Sequence, residues 1–461
     1  MHCLIPGELV SSEKFNENGQ VGSTTVRVLT QAKNTDSTER PAVALVVEQY
    51  EKAVRVISET ARIALPHIVR WTADEMDALQ KKIQGVVPLS SDDNIVTIKL
   101  PSARKFAEFR DDLKRFDDLR AINTASVLTR SLFTQLFAEF DAFIGELLKT
   151  IYLKNDNLLK GISREISLAE LLDFSDLSAV KKALLEKEID SIRRDSYVEQ
   201  FSALEKKFGI TLKKFSEWSQ FVELSQRRNI LTHNGGVVSD QYLAVCGREG
   251  YKFSGVAPKI GDLLDVPFDY FVSASRLLSK VGLMLGYTLW NKVYPDETDS
   301  MHHELNNLLY SCLEQKRFKF VAELGDFVFS EPMRKKLVDI DYRVRIVNIA
   351  IGMKFSDNHE QAIQLLRSVD WSASYRDFRL AQAVLEDRYA EATEMMKNIG
   401  KKGEILNQDA YHSWPLFSRF RERPEFYDAY LEIYGEPFSE KLPGEQGEVQ
   451  APTVADEELP E

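Results

Sequence analysis

Arg227-Arg228-Asn229-Ile230-Leu231-Thr232-His233-Asn234-Gly235-Gly236 sets arginine, asparagine and one of only seven histidines in the chain close together before a glycine pair. These residue types suit RNA cleavage. The 2'-hydroxyl of RNA is already beside the scissile phosphate, so the reaction needs only a proton acceptor or donor and a cation for the charge that develops on phosphorus. Imidazole titrates near neutrality, and guanidinium matches phosphate oxygens with a planar fork. On a helix Asn229 and His233, four residues apart, share a face. Arg228 and His233 are separated by about 140° around an ideal helix, so a helix end or a second copy of the chain is needed to bring them together. Gly235 and Gly236 suit the left-handed turn that ends a helix just after His233. The imidazole then sits at the negative end of the helix dipole, which favours its protonated form. Arg-x4-His also occurs at Arg62 to His67, but Pro66 lies inside that copy and predicts a break or kink before His67.

The match of Arg228, Asn229 and His233 resembles the HEPN domains, whose ribonuclease members carry Arg-x4–6-His with a polar residue after the arginine. Two further stretches are similar to the family. Leu136-Phe137-Ala138-Glu139-Phe140-Asp141-Ala142-Phe143 resembles its first helix, with an acidic residue among large apolar ones, and the run from Asp269-Tyr270-Phe271 to Leu289-Trp290 resembles its closing helix. The resemblance covers residues 101–297. It implies an all-helical bundle and a metal-independent endoribonuclease in which two domains pair so that the Arg and His of each face a shared cleft. Such enzymes act as toxins or antiviral effectors. The resemblance makes His233 general acid or base, Arg228 the cation for the phosphorane, and Asn229 the residue that orients phosphate or imidazole. Arg227, Asn234 and Asp141 are supporting candidates; Asp141 is either a polar partner aimed at the catalytic helix or a partly exposed carboxylate.

Helices must position these residues. Residues 127–152 carry Leu128, Leu132, Leu136, Phe140, Ile144, Leu147 and Ile151 at steps of three and four, one apolar stripe. Further helical patterns cover residues 168–172, 179–192, 198–208 and 215–231, and glycines 247, 250, 255 and 261 mark a loop or small hairpin before the last helix of the bundle. Upstream, residues 1–100 read as a small mixed α/β region, with short strands at 24–31 and 94–100 and a helix over 42–63. After Pro295 shorter helices come in pairs, at 302–315 with 318–329, 341–354 with 358–368, and 376–386 with 388–398. They are similar to tetratricopeptide-type hairpins and predict a helical solenoid over residues 298–435. Trp414, Phe417, Phe420, Phe426, Tyr427 and Tyr430 are placed to cap its last hairpin. A solenoid of this kind offers a surface to a protein partner. The fold class expected is therefore mainly α: a HEPN-like bundle flanked by the mixed region and the hairpins, with an acidic disordered tail at 436–461.

The chain of 461 residues, 44% hydrophobic and 28% charged, has the composition of a globular protein with a sizeable core. Cys3, Cys246 and Cys312 are far apart, which argues against a zinc site or a disulfide framework and suits a reducing cytosol. No signal-peptide pattern opens the sequence, and the most apolar run, residues 277–290, contains Lys280 and is too short to span a bilayer. The expected location is cytoplasmic, away from membranes. More than half of the net charge of −12 lies in residues 436–461, where eight acidic residues face only Lys441. Elsewhere Arg104, Lys105, Arg110, Lys114 and Arg115, and then Lys206, Lys207, Lys213 and Lys214, form basic clusters that serve either as phosphate contacts or as solvated helix faces. There is no phosphate loop, no G-x-S-x-G elbow and no HExxH, and the adjacent His302 and His303 point to different helix faces. The reaction therefore calls for no metal and no cofactor. The expected function is a homodimeric endoribonuclease with RNA as substrate. The alternative, of another class, is a non-catalytic HEPN scaffold that dimerises and binds a protein partner through its hairpins.

Overall fold

The apolar stripe of residues 127–152 becomes the central helix of a mainly α protein. In the computed structural model, which describes residues 40–86, 100–163 and 165–439, this helix is α3 (Thr124–Leu153), started by Asn123, whose side chain accepts from the Ser126 N–H at 3.0 Å. Before it come α1 (Ala42–Gln84) and α2 (Ala103–Ala121); after it come α4 (Asp156–Lys160), α5 (Leu168–Leu172), α6 (Leu177–Arg194), α7 (Tyr197–Phe208), α8 (Trp218–His233), α9 (Asp240–Arg248) and α10 (Phe268–Val293). Among the described residues the only β pairing is the isolated bridge between Val237 and Leu263. The strands expected at 24–31 and 94–100 lie outside the described residues, apart from Leu100, which is in neither helix nor strand. The expected acidic tail lies outside them from residue 440 on.

Helix α1 does not end where Pro66 predicts. It runs unbroken from Ala42 to Gln84 with Pro66 inside it. Proline removes the hydrogen bond to the Arg62 carbonyl, but Arg62, Pro66 and His67 are all exposed, so water can satisfy that carbonyl and the helix is not obliged to break. The inner face of α1 is part of the core. Val47, Tyr50, Val54 and Ala61 are buried, and Tyr50 donates to the Leu278 carbonyl of α10 at 2.9 Å. Close approach depends on Gly282 and Gly286: a Cβ at either would fall 2.2 Å from the Tyr50 ring or 2.6 Å from Val47. The stretch read as part of a separate region 1–100 thus packs within the same core as residues 101–297. Helix α2 buries no residue.

The core continues without interruption into the C-terminal helices. These are α11 (Thr298–Glu314), α12 (Phe318–Glu323), α13 (Gly325–Val328), α14 (Glu331–Arg334), α15 (Asp339–Lys354), α16 (His359–Arg367), α17 (Arg376–Leu385), α18 (Tyr389–Ile399), α19 (Gln408–Ser413) and α20 (Pro424–Tyr434). Three turns recur in one form. Lys316, Asp357 and Asp387 are left-handed (φ 58°, 63° and 58°), and the next N–H returns to a carbonyl five residues back: Arg317 to Cys312, Asn358 to Met353 and Arg388 to Ala383, each at 2.9 Å. The buried Lys354 amine ties two hairpins by donating to the Val384 and Leu385 carbonyls at the end of α17, at 3.2 and 2.8 Å. At the far end Tyr389 stacks on Phe420, with ring centroids 5.6 Å apart, and Phe417, Phe426 and Tyr430 are buried. Tyr427 stays 43% exposed, so it is at the edge of that cap. No helix of the described residues is long and apolar enough to cross a membrane.

Candidate active site

Helix α8 ends just after His233, as the glycine pair implies. The Asn234 and Gly236 N–H groups both return to the Ile230 carbonyl, at 2.8 and 2.9 Å, and Gly235 and Gly236 take φ of 61° and 90°. The exit is pinned on both sides. Arg130 of α3 donates to the Gly235 carbonyl at 2.8 Å, and the Leu264 N–H donates to the Gly236 carbonyl at 2.9 Å. A Cβ at Gly236 would meet the Leu264 carbonyl oxygen at 2.8 Å, so the approach of the 262–264 segment requires glycine there. Asn234 turns its amide to the Val237 carbonyl, at 2.7 Å, and holds the turn.

A cleft of about 600 Å³ opens beside this helix end, and Arg228, Asn229, His233 and Asn234 line it together with Asp141 of α3. The five-residue offset therefore does not keep Arg228 and His233 out of a common cleft in a single chain. Arg228 is held firmly. Its Nη2 pairs with Asp141 Oδ2 at 2.9 Å, its Nη1 donates to Asn229 Oδ1 at 3.1 Å, and it lies 5.8 Å from the Phe137 ring centroid. Asp141 is thus the polar partner aimed at α8. Its other oxygen accepts from the Tyr197 hydroxyl at 2.6 Å. Burial, and then the Asp141 charge, push the Tyr197 phenol well above its ordinary range, so it remains a donor. Asn229 spends its amide oxygen on Arg228, which leaves its NH2 for a ligand. His233 is exposed at the helix end.

Arg227 belongs elsewhere. It does not line the cleft but turns inward: its Nε pairs with Glu223 at 2.8 Å, its Nη1 donates to the Asp265 carbonyl at 2.9 Å, and it stacks 4.3 Å over the Tyr270 ring. Glu223, 1% exposed, also accepts from the Tyr242 and Tyr270 hydroxyls at 2.6 and 2.7 Å. This network joins α8 to α9 and α10, and it gives Arg227 a structural role.

Other lining residues carry no signal in the 227–236 stretch. Arg193 and Arg194 end α6, and Tyr197 and Gln200 come from α7. Gln200 donates its amide to the Arg193 and Asp195 carbonyls at 3.3 and 2.8 Å, which fixes the corner between the two helices. The local sequence marks that corner, because Ser196 and Glu199 form a capping box. Its position against α8 is a matter of tertiary packing. The basic clusters expected to contact phosphate do not line this cleft. Arg104 and Lys105 share Glu108, Arg115 pairs with Glu75, Lys207 with Glu188 and Lys213 with Glu205.

Burial pushes the Cys246 and Cys312 thiols up to about 12, so neither supplies a thiolate near neutral pH. His302 is buried between the Lys335 carbonyl and Arg345, at 3.2 and 3.3 Å, as a core histidine. Among the described residues no group of three or more His, Cys, Asp or Glu side chains is arranged to hold a metal ion. Comparison with protein-family models, with curated proteins and with solved structures gives no match. The HEPN resemblance rests on Arg228, Asn229, His233 and the two helices that flank them.

Proposed function

We propose that the protein is a metal-independent endoribonuclease and that the α8 cleft is its active site. The observation that carries this reading is the convergence of Arg228, Asn229 and His233 on one cleft that Arg193 and Arg194 also line. A scissile phosphate in the cleft would meet the Arg228 fork, with the Asn229 NH2 and the α6 arginines steadying its oxygens. The 2'-oxygen would attack phosphorus while His233 takes its proton. The bond from phosphorus to the 5'-oxygen would break, leaving a 2',3'-cyclic phosphate and a 5'-hydroxyl once that oxygen is protonated. One imidazole does one of these two jobs at a time, so a second copy of the chain, presenting its own α8 end, would supply the other. RNA is the substrate in this reading, and the working form is a homodimer.

One observation favours a second reading. The Arg228 charge is already met by Asp141 at 2.9 Å, as a structural arginine's would be. In that reading the helical bundle is a non-catalytic scaffold and the C-terminal hairpins hold a protein partner. A labelled single-stranded RNA incubated with the full chain in excess chelator distinguishes the two. The ribonuclease leaves cyclic-phosphate ends, spares a substrate with a 2'-deoxy sugar at the cut site, and loses activity in His233→Ala. No product from the dimeric full chain, or product that disappears with chelator, overturns the ribonuclease mechanism.

A further inference from the structure

A second cleft, of about 480 Å³, opens where α1 and α10 meet the first hairpin turn, and it shares no lining residue with the α8 cleft. Five cations line it, Arg55, Arg276, Lys316, Arg317 and Lys319, against a single carboxylate, Glu59. Some of this charge is matched. Arg276 pairs with Glu323 at 2.9 Å, Arg317 reaches the buried Glu51 at 3.0 Å, and Glu59 is taken by Arg62. The side chains of Arg55, Lys316 and Lys319 make no hydrogen bond or ion pair among the described residues.

We infer that this cleft binds a ligand carrying several linked phosphate groups. Three unmatched cations gathered in one concave site repel one another, and low-dielectric walls focus their field outward. They do so in a chain whose net charge is −12, so the local excess runs against the overall balance. A single carboxylate would neutralise one of the three. A run of phosphates offers each of them an oxygen, with the Arg55 fork and the two amines as donors. The turn fixes the spacing, because Lys316 is held left-handed at φ 58° and Arg317 is tied both to Glu51 of α1 and to Ser279 of α10. Val272, 38% exposed, adds apolar surface to the lining. The chemistry fits the phosphates of a nucleoside triphosphate and those of an RNA backbone alike. The inference does not depend on the ribonuclease reading.

Inorganic tripolyphosphate titrated calorimetrically into the full chain tests it. Binding is expected at low salt, weakening as salt rises, and about tenfold or more weaker in the variant Arg55→Gln, Lys316→Gly, Lys319→Gln. Glycine is chosen at 316 because the left-handed backbone accepts it. The control Lys401→Gln, Lys402→Gln keeps wild-type affinity. Single Lys316→Gly, with a smaller loss, guards against misfolding of the triple variant. ATP and a short RNA then compete against tripolyphosphate in an Arg228→Ala background, so that contacts at the α8 cleft are not counted. Competition by ATP identifies a nucleotide source, and competition by RNA a backbone source; either supports the inference. Absence of tripolyphosphate binding, or binding that persists in a folded triple variant, overturns it.

Discussion

Replacing Arg227 and Arg228 by alanine one at a time separates two adjacent arginines that the sequence presents as a pair. Arg227 has a side chain 12% exposed, bound to a Glu223 side chain 2% exposed. Its loss would leave a buried carboxylate facing only the Tyr242 and Tyr270 hydroxyls, a situation that costs about 3–5 kcal/mol. An unfolding entropy of roughly 2.1 cal/mol/K per residue makes 1 kcal/mol equal to about 1 °C in Tm for a unit that extends from Pro41 onward. Arg227→Ala should therefore lower Tm by about 3–5 °C. Arg228, 24% exposed and paired with an Asp141 side chain 23% exposed, borders on solvent. Water can replace part of what it loses, so Arg228→Ala should cost about 1–2 kcal/mol and a similar number of degrees. On activity the order reverses. Loss of a preorganised cation at the phosphorane typically costs about 100-fold or more in rate, whereas Arg227→Ala at 20 °C should cleave within a fewfold of wild type. Thermal melts and single-turnover cleavage of a fluorescent RNA read both quantities on the same samples. Equal destabilisation by the two substitutions would refute the burial argument, and full cleavage by a folded Arg228→Ala would refute the assignment of the cleft.

Gly236→Ala, at φ 90° and with the Leu264 carbonyl 2.8 Å from the new Cβ, should cost about 1–3 kcal/mol and lower cleavage by displacing the α8 exit. Gly235→Asn, which has open space around it, should be mild in both assays; equal effects would show that the exit is not pinned as described. Burial, opposed by the Lys335 carbonyl and reinforced by Arg345, lowers the His302 pKa, so the folded state binds its proton less readily than the unfolded chain. That stability is present above the unfolded value of about 6.5 and is lost as pH falls, by at most about 1.4 kcal/mol per pH unit. Urea unfolding at pH 7.5 and 5.0 should show a shallower decline in His302→Gln than in wild type, and identical declines would count against it. Asp377, 2% exposed, accepts the Glu404, Ile405 and Leu406 N–H groups at 3.3, 3.1 and 2.7 Å. Asp377→Ala should cost about 3 kcal/mol or more by stranding those donors, and a loss below about 1 kcal/mol in urea titration would contradict that role.

Periodicity determined a good part of this protein on its own. The stripe from Leu128 to Ile151 could bury only one face of a helix, and it became α3. The helix end at His233 was legible because Gly235 and Gly236 accept backbone conformations that other residues resist. The helix pairs after Pro295 were legible in outline, since each turn is closed by bonds a few residues apart, but the helix expected over 318–329 is divided into α12 and α13. Local signals allowed a break at Pro66 that does not occur, because whether proline breaks a helix depends on what the freed carbonyl can reach, and here it faces water. Spacing along α8 also implied that Arg228 and His233 diverge, whereas the walls contributed by α3, α6 and α7 place both on one cleft. Only packing could tell Arg227 from Arg228. They are adjacent in sequence and identical in chemistry, but a rotation of about 100° per residue turns one toward Glu223 inside the bundle and the other toward Asp141 at its surface. The cationic cleft at Lys316 was hidden for the same reason: Arg55 and Lys319 are more than 250 residues apart in the chain, and no short-range pattern records that their helices meet.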